Sequence, residues 1–249
     1  MELHGQRVIV TGGVRGLGRC MVDRLTALGA IVTVFDLDAE GLEGLKEQYH
    51  EMNCVECDVS KYEQVVNATR QFFEAFGAPA VLINNAGILY SAPLVRISSS
   101  GVEKHDVLMW DKVLASDLSS VFYMTVCVVE KMIASRTKGT IVNISSVSAA
   151  GNPGASAYSA AKAGVNALTA AWAKELGPMG IRVIAVAPGF TDTESTKHAM
   201  SERALQETLK RVPLRRLGRP EEIAESVLAM IQNDFFNGKV LELDGGLIL

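Results

Sequence analysis

The feature that most constrains this chain is an alternation repeated along its length. Seven short apolar runs, RVIVTG, IVTVFD, CVECDV, AVLINNAG, GTIVNISS, IRVIAVAPG and KVLELDGG, are separated by stretches whose apolar residues recur at helical spacing. Strands that read as continuous apolar runs are buried on both faces, and a helical crossover between consecutive strands makes them parallel. The pattern therefore predicts an α/β fold with a doubly wound seven-stranded parallel sheet. At 249 residues, 48% of them hydrophobic, the chain can bury a continuous core but has no room for a second domain of ordinary size. One domain spanning 1–249 is expected.

The helices are punctuated as their physics requires. Ser60 with Glu63 three residues on reads as a capping box, followed by Val65, Val66, Phe72, Phe73 and Phe76 and a stop at Gly77. Pro220 opens another helix, with Ile223, Val227, Met230 and Ile231 on one stripe. Residues 91–107, SAPLVRISSSGVEKHDV, fit neither period and read as a surface loop long enough to serve a function. No repeat or low-complexity tract is visible.

A net charge of −4 argues against broad binding to nucleic acid or an anionic membrane. MELHGQRVIVTGG enters its first strand with no cleavable leader pattern, and no apolar stretch looks long enough to span a bilayer. A cytoplasmic protein is expected. Of the four cysteines, Cys54 and Cys57 form a C-x-x-C, but in a strand-like segment they point to opposite faces. No second ligand pair accompanies them, so structural thiols and no metal site are expected.

TGGVRGLG, residues 11–18, follows the first strand and leads into a helix ended by Gly29. Gly12, Gly16 and Gly18 permit the tight turn and close backbone approach that a pyrophosphate needs, and the helix N-terminus attracts its charge. Strand, turn, helix and second strand follow in the order of a dinucleotide-binding Rossmann unit, and that second strand ends at Asp36. A carboxylate there can accept both adenine-ribose hydroxyls and repels a 2′-phosphate, which favours NAD over NADP. Arg15 is the one nearby cation that speaks for NADP; it could equally face the pyrophosphate or solvent.

YSAAK sets Tyr158 and Lys162 four apart on one face of an Ala-rich helix. A free phenol titrates near pH 10, and an adjacent ammonium favours the phenolate. Tyr158 can then exchange a proton with a substrate oxygen while a nicotinamide exchanges the hydride. Ser145 and Ser146 end the strand GTIVNISS, and either could hydrogen-bond that oxygen.

Taken in order, these motifs resemble the short-chain dehydrogenase/reductase family along nearly the whole chain. TGGVRGLG matches its TGxxxGxG, which adds Arg15 and Leu17 to the cofactor residues. Asp58 and Val59 match its adenine-contacting Asp-Val, and NNAG at 84–87 its sheet-stabilising motif, with Asn85, Ala86 and Gly87 at the cofactor. PGFTDT, 188–193, resembles PGxxxT and brings Pro188, Gly189, Thr191 and Thr193 to the same ligand. The resemblance implies a sheet ordered 3-2-1-4-5-6-7, a cofactor half over roughly 1–90 and a catalytic half over 91–249. It also implies catalysis by Ser, Tyr and Lys, and a homotetramer.

Two departures stand out. SDLSSVF places Asp117 where the family carries a catalytic Asn. Counting back from Tyr158 by the family's usual spacing gives Ser145, while the local pattern gives Ser146 with one loop residue missing. Ser146 is preferred, because a strand end fixes a serine while a loop shortens easily, and Ser145 would then make a structural bond. The extra residues after NAG and the tail NDFFNGKVLELDGG also resemble type II 3-hydroxyacyl-CoA dehydrogenases. Lys210, Arg211, Arg215, Arg216 and Arg219 would lie beside the substrate mouth, as phosphate ligands or as solvated lid surface.

The reading is an NAD-dependent oxidoreductase acting on a small-molecule secondary alcohol or ketone, with 3-hydroxyacyl thioesters and polycyclic alcohols as candidate substrates. The rival is a sensor of the same fold that binds NAD without turnover. An extended-type epimerase or dehydratase would need an added domain.

Overall fold

A computed structural model describes residues 1–99, 101–199 and 202–247 of the chain. Ser100, inside the 91–107 stretch, and the last two residues of the 1–249 span lie outside the described residues. The strands are β1 (Arg7–Thr11), β2 (Ile31–Asp36), β3 (Asn53–Glu56), β4 (Val81–Asn84), β5 (Val95–Ser98), β6 (Gly101–Lys104), β7 (Gly139–Ile144), β8 (Ile181–Pro188) and β9 (Val240–Leu243). The helices are α1 (Gly16–Ala27), α2 (Ala39–Gln48), α3 (Tyr62–Phe76), α4 (Val107–Leu114), α5 (Ser120–Ala134), α6 (Ser156–Leu176), α7 (Glu194–Ala199), α8 (Glu202–Arg211) and α9 (Pro220–Gln232).

Seven strands form one parallel sheet ordered β3-β2-β1-β4-β7-β8-β9. This is the predicted Rossmann order, renumbered only because β5 and β6 pair apart from it. Residues alternate across each strand and feed two cores. Val8 and Val10 of β1 pack with Met21 and Leu25 of α1 and Val227 and Ile231 of α9. Ile9 of the same strand packs, with Leu82 and Ile141, against Phe72 of α3 and Met124 and Val128 of α5. Cys54 and Cys57 divide in the same way, the first packing against one core and the second buried in the other. Among the described residues no cluster of His, Cys, Asp or Glu could hold a metal.

Three expectations need correction. Helix α3 starts at Tyr62 with Lys61 as its cap, because Ser60 is taken by a tighter local turn. Its amide and hydroxyl both donate to Asp58 Oδ1, at 3.0 and 2.6 Å, and this competes with helix capping. The 91–107 stretch contains regular structure: β5 and β6 form an antiparallel hairpin with Ile97 opposite Val102. Finally, α4, a π-turn over Ala115–Ser119 and α5 run together as Val107–Ala134, which by length and composition is apolar enough to cross a membrane. Half of its most apolar window is buried, as befits a core helix packed on the sheet.

Beyond β8 the chain leaves the sheet and returns to the point of departure. Thr191 bridges Gly218 in parallel fashion, with Asp192 N donating to Gly218 O at 2.8 Å and Gly218 N to Phe190 O at 3.0 Å. Helices α7 and α8 lie within this excursion. Helix α9 then opens at Pro220 as predicted, and the Glu222 carboxylate accepts the Arg219 N–H at 2.8 Å.

Candidate active site

The C-terminal ends of β1, β2, β4, β7 and β8 open on one cavity of about 770 Å³. This is the crevice at which an open parallel sheet binds ligands. On its cofactor side the turn after β1 has no room for a side chain at two of its glycines. A Cβ on Gly18 would stand 1.9 Å from Gly12 O, and one on Gly12, at φ +67°, would stand 2.8 Å from Ala86 Cα. Asn85 locks the turn by donating from Nδ2 to Thr11 O and Gly12 O at 3.0 and 2.8 Å. Thr11 Oγ1 in turn accepts the N–H groups of Asn85 and Ala86, both at 3.0 Å. The result is a bare backbone cradle at the N-terminus of α1, which fits a pyrophosphate. At the end of β2 the Asp36 carboxylate is aimed by two amides, Val14 N to Oδ2 and Asp38 N to Oδ1, each at 3.1 Å. An ionised carboxylate has about four acceptor sites, so two remain for ribose hydroxyls.

The opposite wall is built by β7, α6 and the π-turn. Lys162 is buried and donates from Nζ to Ile144 O at 3.0 Å. Its Nζ lies 5.5 Å from the centre of the Tyr158 ring and 3.4 Å from Asp117 Oδ2. Asp117 Oδ1 accepts the Ile88 N–H at 2.8 Å. Burial pushes the Asp117 carboxyl up from its ordinary value, against the pull of Lys162 and the Ile88 amide. Burial alone would lower the Lys162 ammonium, but the Asp117 charge and the Tyr158 oxygen outweigh it and hold Lys162 above its ordinary value. The two serines separate cleanly. Ser145 Oγ donates to Asn166 Oδ1 at 2.6 Å, whereas Ser146 Oγ accepts the Ser148 N–H at 3.1 Å and keeps its own proton for another partner.

The chain matches the sequence profile of the short chain dehydrogenases over residues 6–204. It belongs to the short-chain dehydrogenase/reductase family. Similar curated proteins include the 3-oxoacyl-[acyl-carrier-protein] reductases FabG of Thermotoga maritima, 37% identical with all of both chains covered, and of Chlamydia trachomatis, 36% identical over 98% of each. The Pseudomonas aeruginosa enzyme of that name is 35% identical over the full length of both. As a short-chain dehydrogenase/reductase, the chain is an oxidoreductase of the nicotinamide-dependent class.

Every site residue expected from the sequence lines this single cavity: Ser146, Tyr158, Lys162 and Asp117 on the catalytic wall, and the glycine turn with Arg15, Leu17 and Asp36 facing it. Asp58, Val59, Asn85, Ala86, Gly87, Pro188, Gly189, Thr191 and Thr193 complete the lining. Thr193 Oγ1 also accepts the Thr196 N–H at 3.2 Å, near the start of α7. The basic segment behaves differently from the phosphate-binding reading. Arg211 lines the cavity, but Arg216 makes two 2.7 Å bonds to Glu222, Arg219 reaches the same carboxylate, and Arg215 donates to Lys210 O. The described residues of the hairpin also stay out of the lining, which takes Leu89, Tyr90 and Ser91 from the approach to it instead. Sequence reasoning missed Thr11, Asn166 and the Ile144 carbonyl; the last carries no side-chain signal at all.

Proposed function

We propose that the chain is an NAD-dependent ketoreductase or alcohol dehydrogenase acting at the 3-position of an acyl thioester, with Tyr158 as general acid/base. One observation carries the reading: the Tyr158, Lys162 and Ser146 side chains face the same cavity as the bare glycine cradle. A dinucleotide held at that cradle and at Asp36 would supply or accept the hydride. The chain's own residues supply the rest. Ser146 donates a hydrogen bond to the substrate oxygen, Tyr158 passes a proton to or from it, and Lys162, fixed by Ile144 O, favours negative charge on the phenol oxygen.

Asp36 supports NAD, since a 2′-phosphate would meet a carboxylate already fixed by two amides. The thioester reading draws on the relatives' printed activity and on a cavity large enough for more than a simple alcohol. The chain would work as one domain, with a cofactor half over 1–90 and a catalytic half over 91–249. Its four cysteines are free thiols, as a reducing cytoplasm keeps them.

The test follows NADH and NADPH oxidation with a 3-oxoacyl thioester, for the parent enzyme and Tyr158→Phe. The parent should prefer NADH, and the variant should lose about 10²–10⁴-fold in kcat while NADH binding stays nearly intact. Variant activity within about threefold of the parent would remove Tyr158 from the chemistry. NADH binding by the parent without turnover on any ketone would instead leave a sensor.

A further inference from the structure

We propose that Asp117 is a positioning residue that acts through Lys162 to keep the proton on Tyr158, setting the enzyme for carbonyl reduction rather than alcohol oxidation near neutral pH. The inference rests on the acid/base reading of Tyr158 and deepens it by assigning a favoured direction. It begins from a juxtaposition of opposite charges, the Asp117 and Lys162 side chains being 1% and 5% exposed and facing each other across 3.4 Å. Asp117 Oδ2 meets the Lys162 ammonium at 3.4 Å, the long end of hydrogen-bond range, so what it chiefly offers Lys162 is charge. The directed bond from Lys162 goes to Ile144 O.

The groups that face Asp117 come from three elements. Helix α6 brings Lys162 and, beyond it, Tyr158. The segment after β4 brings the Ile88 N–H and Gly87, where even a Cβ would approach Oδ2 to 2.7 Å. Ser116 adjoins it on the π-turn itself. Of these only Lys162 is cationic.

A lone buried ammonium would present its full charge to the Tyr158 oxygen and favour the phenolate. With a carboxylate behind it, the pair is close to neutral as felt at Tyr158, and the pull on the phenol proton weakens. Reduction consumes that proton: the carbonyl carbon takes a hydride from a reduced nicotinamide, and the carbonyl oxygen takes the hydrogen of the phenol. Oxidation runs in reverse and needs a phenolate to accept the hydrogen of the alcohol. Asp117 therefore holds the site in the state that reduction uses.

Asp117→Asn keeps the shape and the acceptor for Ile88 N–H but removes the charge. The rising limb of the kcat–pH profile for alcohol oxidation should move to lower pH by about half a unit or more, raising the oxidation-to-reduction ratio of kcat at pH 7 by roughly threefold or more. The phenolate absorbance of the cofactor-free protein, taken as a difference from Tyr158→Phe, should titrate lower by a similar amount. This second measurement needs no turnover, so it separates failure of this inference from failure of the Tyr158 assignment. A phenolate titration that stays in place overturns the proposal, as does an equal loss of both directions at every pH. Should Asp117→Asn not fold, the smaller neutral Asp117→Ser takes its place, and the same titration decides.

Discussion

Ser145 and Ser146 are neighbours in sequence with opposite duties, and mutation should separate them. Ser145→Ala takes its donor from the half-buried Asn166 Oδ1, a loss of about 0.5–1.5 kcal/mol, which in a chain of this size lowers Tm by a few degrees for each kcal/mol. Its kcat should stay within a few-fold of the parent. Ser146→Ala leaves the Ser148 N–H without its cap, so Tm should fall by a comparable amount, but its kcat should drop about 10²-fold. Thermal melts and steady-state kinetics on the pair decide between them, and equal kinetic losses would refute the division. Asp36→Ala should narrow the gap in kcat/KM between NAD and NADP, mainly by relieving repulsion of the 2′-phosphate. At Cys57 burial pushes the thiol up to about 11, so thiol reagents at pH 8 should reach it only as the chain opens. Mass spectrometry of alkylated native protein would show early labelling there if this is wrong. Tyr158, Lys162 and Asp36 were legible in the sequence because spacing alone sets them on a helix face or a strand end. Thr11 and Asn166 were not, since a Thr in a glycine turn or an Asn in an Ala-rich helix has many ordinary uses.

Single elements show how far periodicity reaches. Strands β1, β2, β4, β7 and β8 could be read directly because burial on both faces leaves an unbroken apolar run. The β5–β6 hairpin escaped because its strands are four residues each and nearly all exposed, so the alternation of Val95-Arg96-Ile97-Ser98 is too short to stand out and has no partner run in β6. The start of α3 was misread because Asp58 competes for Ser60, a contest between two local hydrogen bonds that spacing cannot rank. At the start of α9, Arg216, the Arg219 amide and the Arg219 side chain hold the Glu222 carboxyl at about 2. A folded value below the unfolded one stabilises above the unfolded value near 4.5, and that contribution fades as pH falls through about 2. Tm measured between about pH 5 and pH 2 should therefore fall less steeply in Glu222→Gln than in the parent, with the variant already lower at pH 7. Parallel curves would place this stabilisation elsewhere.

For the whole molecule, alternation of strands and helices gives a parallel sheet with right-handed crossovers, while the strand order comes from the resemblance of the ordered motifs to the short-chain dehydrogenase/reductase family. Assembly could not be read from the residues, since an apolar residue on a long helix serves a core or a partner equally well. In the structure Phe122, Val126 and Ile133 of α5 are exposed, and the Phe122 ring lies 6.3 Å from that of Trp172 on α6. An exposed apolar stripe on a long helix is the kind of surface that self-association would cover. Light scattering should find the parent larger than a monomer and Phe122→Glu with Val126→Glu smaller; a monomeric parent would refute it. The Thr191–Gly218 bridge has a different consequence. Because the excursion between them begins and ends at one spot, it is a cassette: another segment with touching ends could be spliced in its place while Tyr158, Lys162 and the glycine turn kept their positions. Selection could then retune what the enzyme accepts by exchanging the contiguous stretch that follows Thr193, leaving in place the residues assigned to hydride and proton transfer.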